Sequence, residues 1–436
     1  GDSLLAGYYF VLAIPLIGIV PLSAHRSLAA EIDDNTFEML VITRLSAMRI
    51  VTGKLNSAML QMMVYFAAIV PCLAFSYLLR GVDLPTIALL IGIVFFTALL
   101  LTTFCLMLAT LTFNRASQTL ALLAVLSALV FAEFLCGAFC VEVVLGYGLG
   151  SQSEMIIFSA VIVSVGSSCM VMFVRAAAAR IAPVTENRST PLRRTMYFQQ
   201  LVWVSVIAFM VLWYEDQDVL NFGIMVIGGY WLVMGTLMLS ESSELSPRVQ
   251  RSLPSTYAGR LLLTWFNPGP GTGFVFAISS GVVGAMTLGV FGQLIGGGQA
   301  RTDSLTFALI IAGYLMAYLG ITRLIAMPLG RRLGQSLILP LATMATVMGI
   351  AAVTPLVLSV LTTGSPPYSY QNLEAIDWVW TLFEAFEQGY APSLALAIFL
   401  FGLMVLFINL TLLFREFRYR RITVPDRVLA DQQLSS

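Results

Sequence analysis

Histidine occurs once in this 436-residue sequence, at His25. A helix carrying two zinc-binding histidines is therefore excluded, and most imidazole-built metal sites go with it. Charge is scarce as well. Lys, Arg, Asp and Glu make up 11% of the chain, and 23 basic residues balance 23 acidic ones. No global field draws the protein toward nucleic acid, so only the placement of charge is informative. The five cysteines (72, 105, 136, 140 and 169) lie in or beside apolar runs and form no CxxC pair. Cys136 and Cys140, one helical turn apart, read as small packing residues. A phosphate cradle is also missing. Gly53-Lys54 is followed by Leu55, Met48 stands where the first glycine would be, and no Lys-Ser/Thr pair follows the run Pro268-Gly-Pro-Gly-Thr-Gly. With no credible nucleophile–base pair either, the expectation is a protein that is not an enzyme and binds neither metal nor cofactor itself.

Apolar residues dominate what is present. They make up 58% of the chain, with a mean hydropathy of +0.89, which excludes an ordinary soluble domain. Segments of membrane-crossing length fall near 4–24, 56–79, 86–113, 117–138, 155–176, 197–214, 221–239, 272–296, 305–327, 336–361 and 392–414. The fold class expected is an all-α polytopic membrane protein with about eleven transmembrane helices.

The longest polar interruption near the start is Glu31–Lys54. Phe37, Leu40, Val41, Leu45 and Met48 recur there at steps of three and four, the pattern of a helix lying on a membrane. Acids lead and bases trail, which suits a helix dipole, with Asp34 or Asn35 as the expected cap. The residues Asn35-Thr36-Phe37-Glu38-Met39-Leu40, Thr43-Arg44-Leu45-Ser46, and Ile50 with Gly53-Lys54 resemble a signature of type-two ATP-binding-cassette exporter permeases. That signature runs roughly G-T-x-E-x-L, T-P-L-S and I-x-x-G-K. Asn35 replaces its glycine and Arg44 its proline. The resemblance covers about twenty residues. It implies a cytoplasmic coupling helix that docks on a separate ATPase subunit, expected in two copies, which binds ATP and Mg. On that reading Glu31, Thr36, Glu38, Leu40, Thr43, Arg44, Leu45, Gly53 and Lys54 carry the coupling. It also implies a substrate path between two bundles, lined in part by spans 4–24 and 117–138, with Tyr8, Tyr9, Phe131 and Glu133 as candidates.

Placing 31–54 in the cytoplasm assigns a side to each later loop by alternation. All Lys and Arg then sort inside except Arg80 and Arg301, so 21 of 23 obey the positive-inside rule. The expected location is the plasma (bacterial inner) membrane, with the C-terminus cytoplasmic. Outer segments are acidic or uncharged. In the longest, 362–391, Leu373, Ile376, Trp380 and Phe383 share one face of an expected interfacial helix.

The polar stretch 183–196 reads as a cytoplasmic linker between a first permease bundle, 1–182, and a second six-span bundle, 197–414, followed by a cytoplasmic tail, 415–436. In the second half, 241–260 occupies the topological place of 31–54. Glu241, Glu244 and Arg248 are therefore candidates for a second coupling segment. Because Gly1 enters a span directly, a further span is expected to precede it, which would make two six-span bundles in tandem. The alternatives are one permease bundle with an unrelated appendage, and a functional unit formed by one chain or by a homodimer.

The segment 117–147 is long for one span. It is expected to end near Gly137 and continue as a re-entrant or interfacial piece. Glu133 is the deepest carboxylate of the first half; an ionisable group at membrane depth is a functional candidate by default, whereas a span ending a turn earlier leaves Glu133 in outer water. Gly281, Ala285 and Gly289 have the small-xxx-small spacing of a close helix contact. The function expected is the permease subunit of an ATP-driven exporter. The alternatives are an ion-gradient-driven transporter, for which Asn409 and Glu133 are the nearest mid-span polar candidates, and a non-transporting scaffold with the same fold.

Overall fold

Helices account for nearly every described residue of the structure, a computed structural model that describes residues 2–34, 46–78, 84–111, 115–145, 152–183, 186–241, 264–295, 300–333, 336–365, 370, 372–387 and 392–417. In lipid each backbone N–H and C=O must be satisfied within the segment, so an apolar run of this length has the helix as its solution. Among the described residues eleven helices are long and apolar enough to cross a membrane, and each overlaps one of the eleven apolar segments read from the sequence. The protein is an all-α polytopic membrane protein. Its chain divides into two compact units, Gly1–Pro183 and Val184–Ser436.

The first unit contains α1 (Asp2–Ala13), α2 (Val20–Asp33), α3 (Ala47–Leu78), α4 (Leu84–Ala109), α5 (Arg115–Leu145) and α6 (Gln152–Ile181). A π-helical turn, Ile14–Ile19, joins α1 to α2 into one span, with Pro15 inside the turn and Pro21 just after it. A proline removes a backbone donor and widens the ladder locally, a sufficient cause for the irregular turn. Helix α4 is the centre of this unit and packs against α2, α3, α5 and α6. Apolar all round, it buries Val94, Ala98, Cys105, Leu106 and Ala109 completely.

The second unit contains α7 (Ser189–Tyr214), α8 (Gln217–Met238), α9 (Pro270–Ile295), α10 (Ala300–Leu333), α11 (Ile338–Thr363), α12 (Trp378–Glu387) and α13 (Pro392–Phe417). Helix α10 is its centre and packs against α8, α9, α11 and α13. Helices α10 and α13 meet backbone to backbone. A Cβ on Gly402 would lie 2.5 Å from the Gly313 carbonyl oxygen, and one on Gly313 would lie 2.8 Å from that of Ile398. The small face of α9 is likewise a contact. At Gly281 a Cβ would lie 2.3 Å from Leu315, and at Gly289 2.7 Å from Ala308. Amides crosslink the bundle, with Gln200 donating to the Ser280 carbonyl and accepting from the Trp231 indole, both at 2.9 Å.

Several expectations need correction. Glu31–Lys54 is not one helix along its length: Glu31 belongs to the last turn of α2, whereas Gly53 and Lys54 lie in the first two turns of α3. Asp34 ends α2, its N–H donating to the Ala30 carbonyl at 2.9 Å; Asn35, the other expected cap, lies outside the described residues. The good helix formers Ala29, Ala30 and Ala47 carry both spans into polar sequence. Thr36, Glu38, Leu40, Thr43, Arg44 and Leu45 lie outside the described residues, as do Glu244 and Arg248. Helix α5 does not stop at Gly137 but runs on to Leu145. With no water to compete for its backbone, one glycine in an apolar helix is no terminator. The linker is shorter than expected, because Ser189–Met196 already forms the first two turns of α7. The outer helix breaks at Asp377, whose carboxylate accepts from the Val379 N–H at 2.9 Å and starts α12 after a 3-10 turn, Asn372–Ile376.

Candidate functional site

Three polar constellations stand out in these apolar bundles. The first joins α2 and α3. Lys54 Nζ donates to Ser27 Oγ at 2.8 Å and forms an ion pair with Glu31 Oε1. One turn deeper, Ser23 Oγ donates to Gln61 Oε1 at 3.4 Å. The structure thus brings together Glu31 and Lys54, the two ends of the expected coupling stretch, and ties the helices from which residues 35–45 depart and return. Among the described residues nothing lies within 4 Å of a Cβ placed on Gly53.

The second constellation centres on Arg193, which is 1% exposed. Its Nη1 donates to the carbonyls of Trp265 and Asn267, both at 2.6 Å, and to Thr272 Oγ1 at 3.2 Å. Its Nη2 donates to Glu241 Oε2 at 2.7 Å and to the Gly269 carbonyl at 3.2 Å. The same Glu241 oxygen accepts the Gly269 N–H at 2.6 Å. Gly269 has φ 137°, a conformation closed to residues with a Cβ, and this turns both its backbone groups toward the pair. Thr190 adds a further tie to the Phe266 carbonyl at 2.8 Å. One buried guanidinium therefore clamps both ends of the 242–263 segment to the start of α7. A charge removed from water requires such a set of partners, and here the fork of Arg provides the geometry.

Sequence reasoning proposed Glu241 but passed over Arg193, counting it among the loop charges of a basic linker. The adjacent Arg194 made it look like ordinary positive-inside charge. Arg323 was counted the same way and is also buried, at 3% exposure, in α10. Its Nη1 donates to Asn409 Oδ1 at 3.1 Å, and its guanidinium lies 5.3 Å from the centre of the Phe274 ring. Asn409 in turn donates to the Val405 carbonyl at 2.9 Å. That engagement makes Asn409 a structural crosslink of α10 and α13.

The third constellation joins α1 and α5. The buried Tyr9 hydroxyl donates to Glu133 Oε1 at 3.3 Å, and its ring lies across Gly137. Glu133 lies within α5, twelve residues before the helix ends at Leu145. Phe131 does not join the pair. It points to the outer face of α5 and is largely exposed. Tyr8 lies in α1, and nothing further is described of its side chain. Cys136 and Cys140 are buried free thiols on the same side of α5 as Glu133. Among the described residues no group of three or more His, Cys, Asp and Glu is placed to hold a metal ion.

Comparison with family models, with curated proteins and with solved structures gives no match for this chain.

Proposed function

We propose that this chain is the membrane-spanning subunit of an ATP-driven exporter, coupled through its 35–45 segment, and through 242–263, to a separate ATPase. The observation that carries this reading is that each segment springs from a base tied by a cation–carboxylate pair. Lys54–Glu31 ties the first base and Arg193–Glu241 the second. A docking segment transmits force only if its base does not give. Crosslinking the flanking helices makes each segment and its two helices move together, so that ATP-driven closure of two ATPase copies rocks the spans between inward and outward openings. The resemblance of residues 35–54 to exporter permeases supports the same reading, and the distribution of basic residues supports an inner-membrane location with both segments cytoplasmic.

The Glu38 and Leu40 variants test it. Losing one partner of a desolvated charge pair costs about 2–5 kcal/mol of binding. Glu38→Ala is expected to leave membrane insertion intact and to weaken ATPase association and transport. Leu40→Asp, which drives a charge into the docking ridge, is expected to do so more severely. The measurements are the amount of ATPase subunit retained on purification and its substrate-stimulated hydrolysis. Wild-type values for both variants would reduce 31–54 to a connector and overturn the proposal.

A further inference from the structure

The third constellation has a property that the other two lack. Glu31 and Glu241 each face a cation, but among the described residues no basic side chain lies within ion-pair distance of Glu133. Among the described residues its hydrogen-bonding partner from another helix is the Tyr9 hydroxyl. Seven residues, about 10 Å of continuous helix, separate it from Cys140, and α5 runs on to Leu145. Leaving a carboxylate there with a single neutral donor is costly, and such groups mark ligand or ion pathways.

Position on the helix indicates what could meet it. Val125, Leu129, Cys136 and Cys140 form the buried face of α5, whereas Leu126, Val130 and Phe134 are exposed. Glu133 lies at the seam between these faces. The outer face of α5 carries a shallow, open and largely apolar depression lined by Leu123, Leu126, Ser127, Val130, Phe131 and Phe134; Glu133 is not part of its lining but follows Val130 by one helical turn. Phe10, whose ring stands edge-on to that of Tyr9 at 5.3 Å, is exposed on α1.

We propose that Glu133 and Tyr9 form the polar anchor of a binding site for a lipophilic organic cation. Its charge sits on the carboxylate and its apolar body lies in the depression. A hard metal cation fits poorly, because it requires six or more oxygen ligands and Glu133 and Tyr9 offer few. An organic cation needs one counter-charge and apolar or aromatic walls, which attract it through contact area and ring quadrupoles. The binding claim stands on this geometry alone. That the cation is cargo rests on the exporter reading above.

The test is equilibrium binding of radiolabelled tetraphenylphosphonium to the full chain in nanodiscs of uncharged lipid, with empty discs subtracted. The wild type is expected to bind saturably. Glu133→Gln is expected to lose about tenfold or more in affinity, and Tyr9→Phe and Phe134→Ala a few-fold each. Glu133→Asp, which keeps the charge, should restore most of the loss and so separates a missing counter-ion from a damaged fold. Size-exclusion profiles confirm that each variant is folded. Absence of saturable binding, or equal affinity for wild type and Glu133→Gln, would overturn the site. The two proposals fail separately. Saturable cation binding together with wild-type ATPase retention and hydrolysis in the Glu38→Ala and Leu40→Asp variants would leave the site standing and sink the exporter reading, whereas impaired coupling in those variants without cation binding would do the reverse.

Discussion

Two ion pairs of the same chemistry differ in how much they hold together. The side chains of Lys54 and Glu31 retain 23% and 30% of their exposure, so water and salt screen them. Such a pair contributes about 0–1 kcal/mol. Lys54→Ala should therefore leave thermal stability close to wild type, and its effect should appear in coupling instead. Arg193 is buried and has five acceptors, and removing it leaves Glu241 without its cation. Breaking a buried pair from one side costs about 3–5 kcal/mol. Arg193→Ala is expected to lower the unfolding midpoint sharply, and Arg193→Lys to recover only part, because an ammonium cannot reproduce the fork. Tryptophan fluorescence of the purified variants on heating reads both. Equal midpoints for Lys54→Ala and Arg193→Ala would show that the clamp carries no such energy. None of this was visible in the sequence, where Arg193 is one basic residue in a basic stretch.

At the scale of elements, helices pack in lipid by close approach rather than by the hydrophobic effect. The spacing of Gly281, Ala285 and Gly289 announced such a face on α9, because a repeat within one helix is a local pattern. The closer crossing of α10 and α13 had no such signal, since it pairs single glycines from distant parts of the chain. Gly402→Leu should therefore be among the more damaging substitutions in the second unit, at about 1–3 kcal/mol or more for forced overpacking. Gly349→Ala, where a Cβ would meet nothing within 4 Å, should be silent. Thermal unfolding compares them directly, and a silent Gly402→Leu would refute the backbone contact. Helix α5 gives the opposite lesson. Its glycine at 137 suggested a break, yet the helix continues through it, with the Tyr9 ring packed nearby at ordinary contact distance.

For the whole molecule, the testable quantity is the side on which each helix end emerges. Glu186 and Ser336 are exposed beside the starts of α7 and α11, and Ser393 is exposed at the start of α13. Alternation from a cytoplasmic 31–54 places the first two inside and the third outside. Single cysteines at these positions, with the native cysteines replaced, can be probed in intact cells with a membrane-impermeant thiol reagent. Position 393 should label, and 186 and 336 should label only after permeabilisation. The reverse pattern would invert the topology and remove both segments from any cytoplasmic ATPase.

The sequence by itself determined the eleven membrane-length helices found among the described residues and roughly where each lies. Hydropathy is local, and lipid leaves an apolar backbone no other way to satisfy its polar groups. Helix ends were less legible, because good helix formers (Ala29 and Ala30 in α2, Ala47 in α3) carry both helices beyond the apolar runs. Only the tertiary structure decided which of the few polar side chains are buried and what they meet. Arg193 on the turn after 263, Arg323 on Asn409, and Tyr9 on Glu133 each join residues more than seventy positions apart. A buried polar group is stable only when distant elements bring its partners to it, and that convergence leaves no trace in the local order of residues.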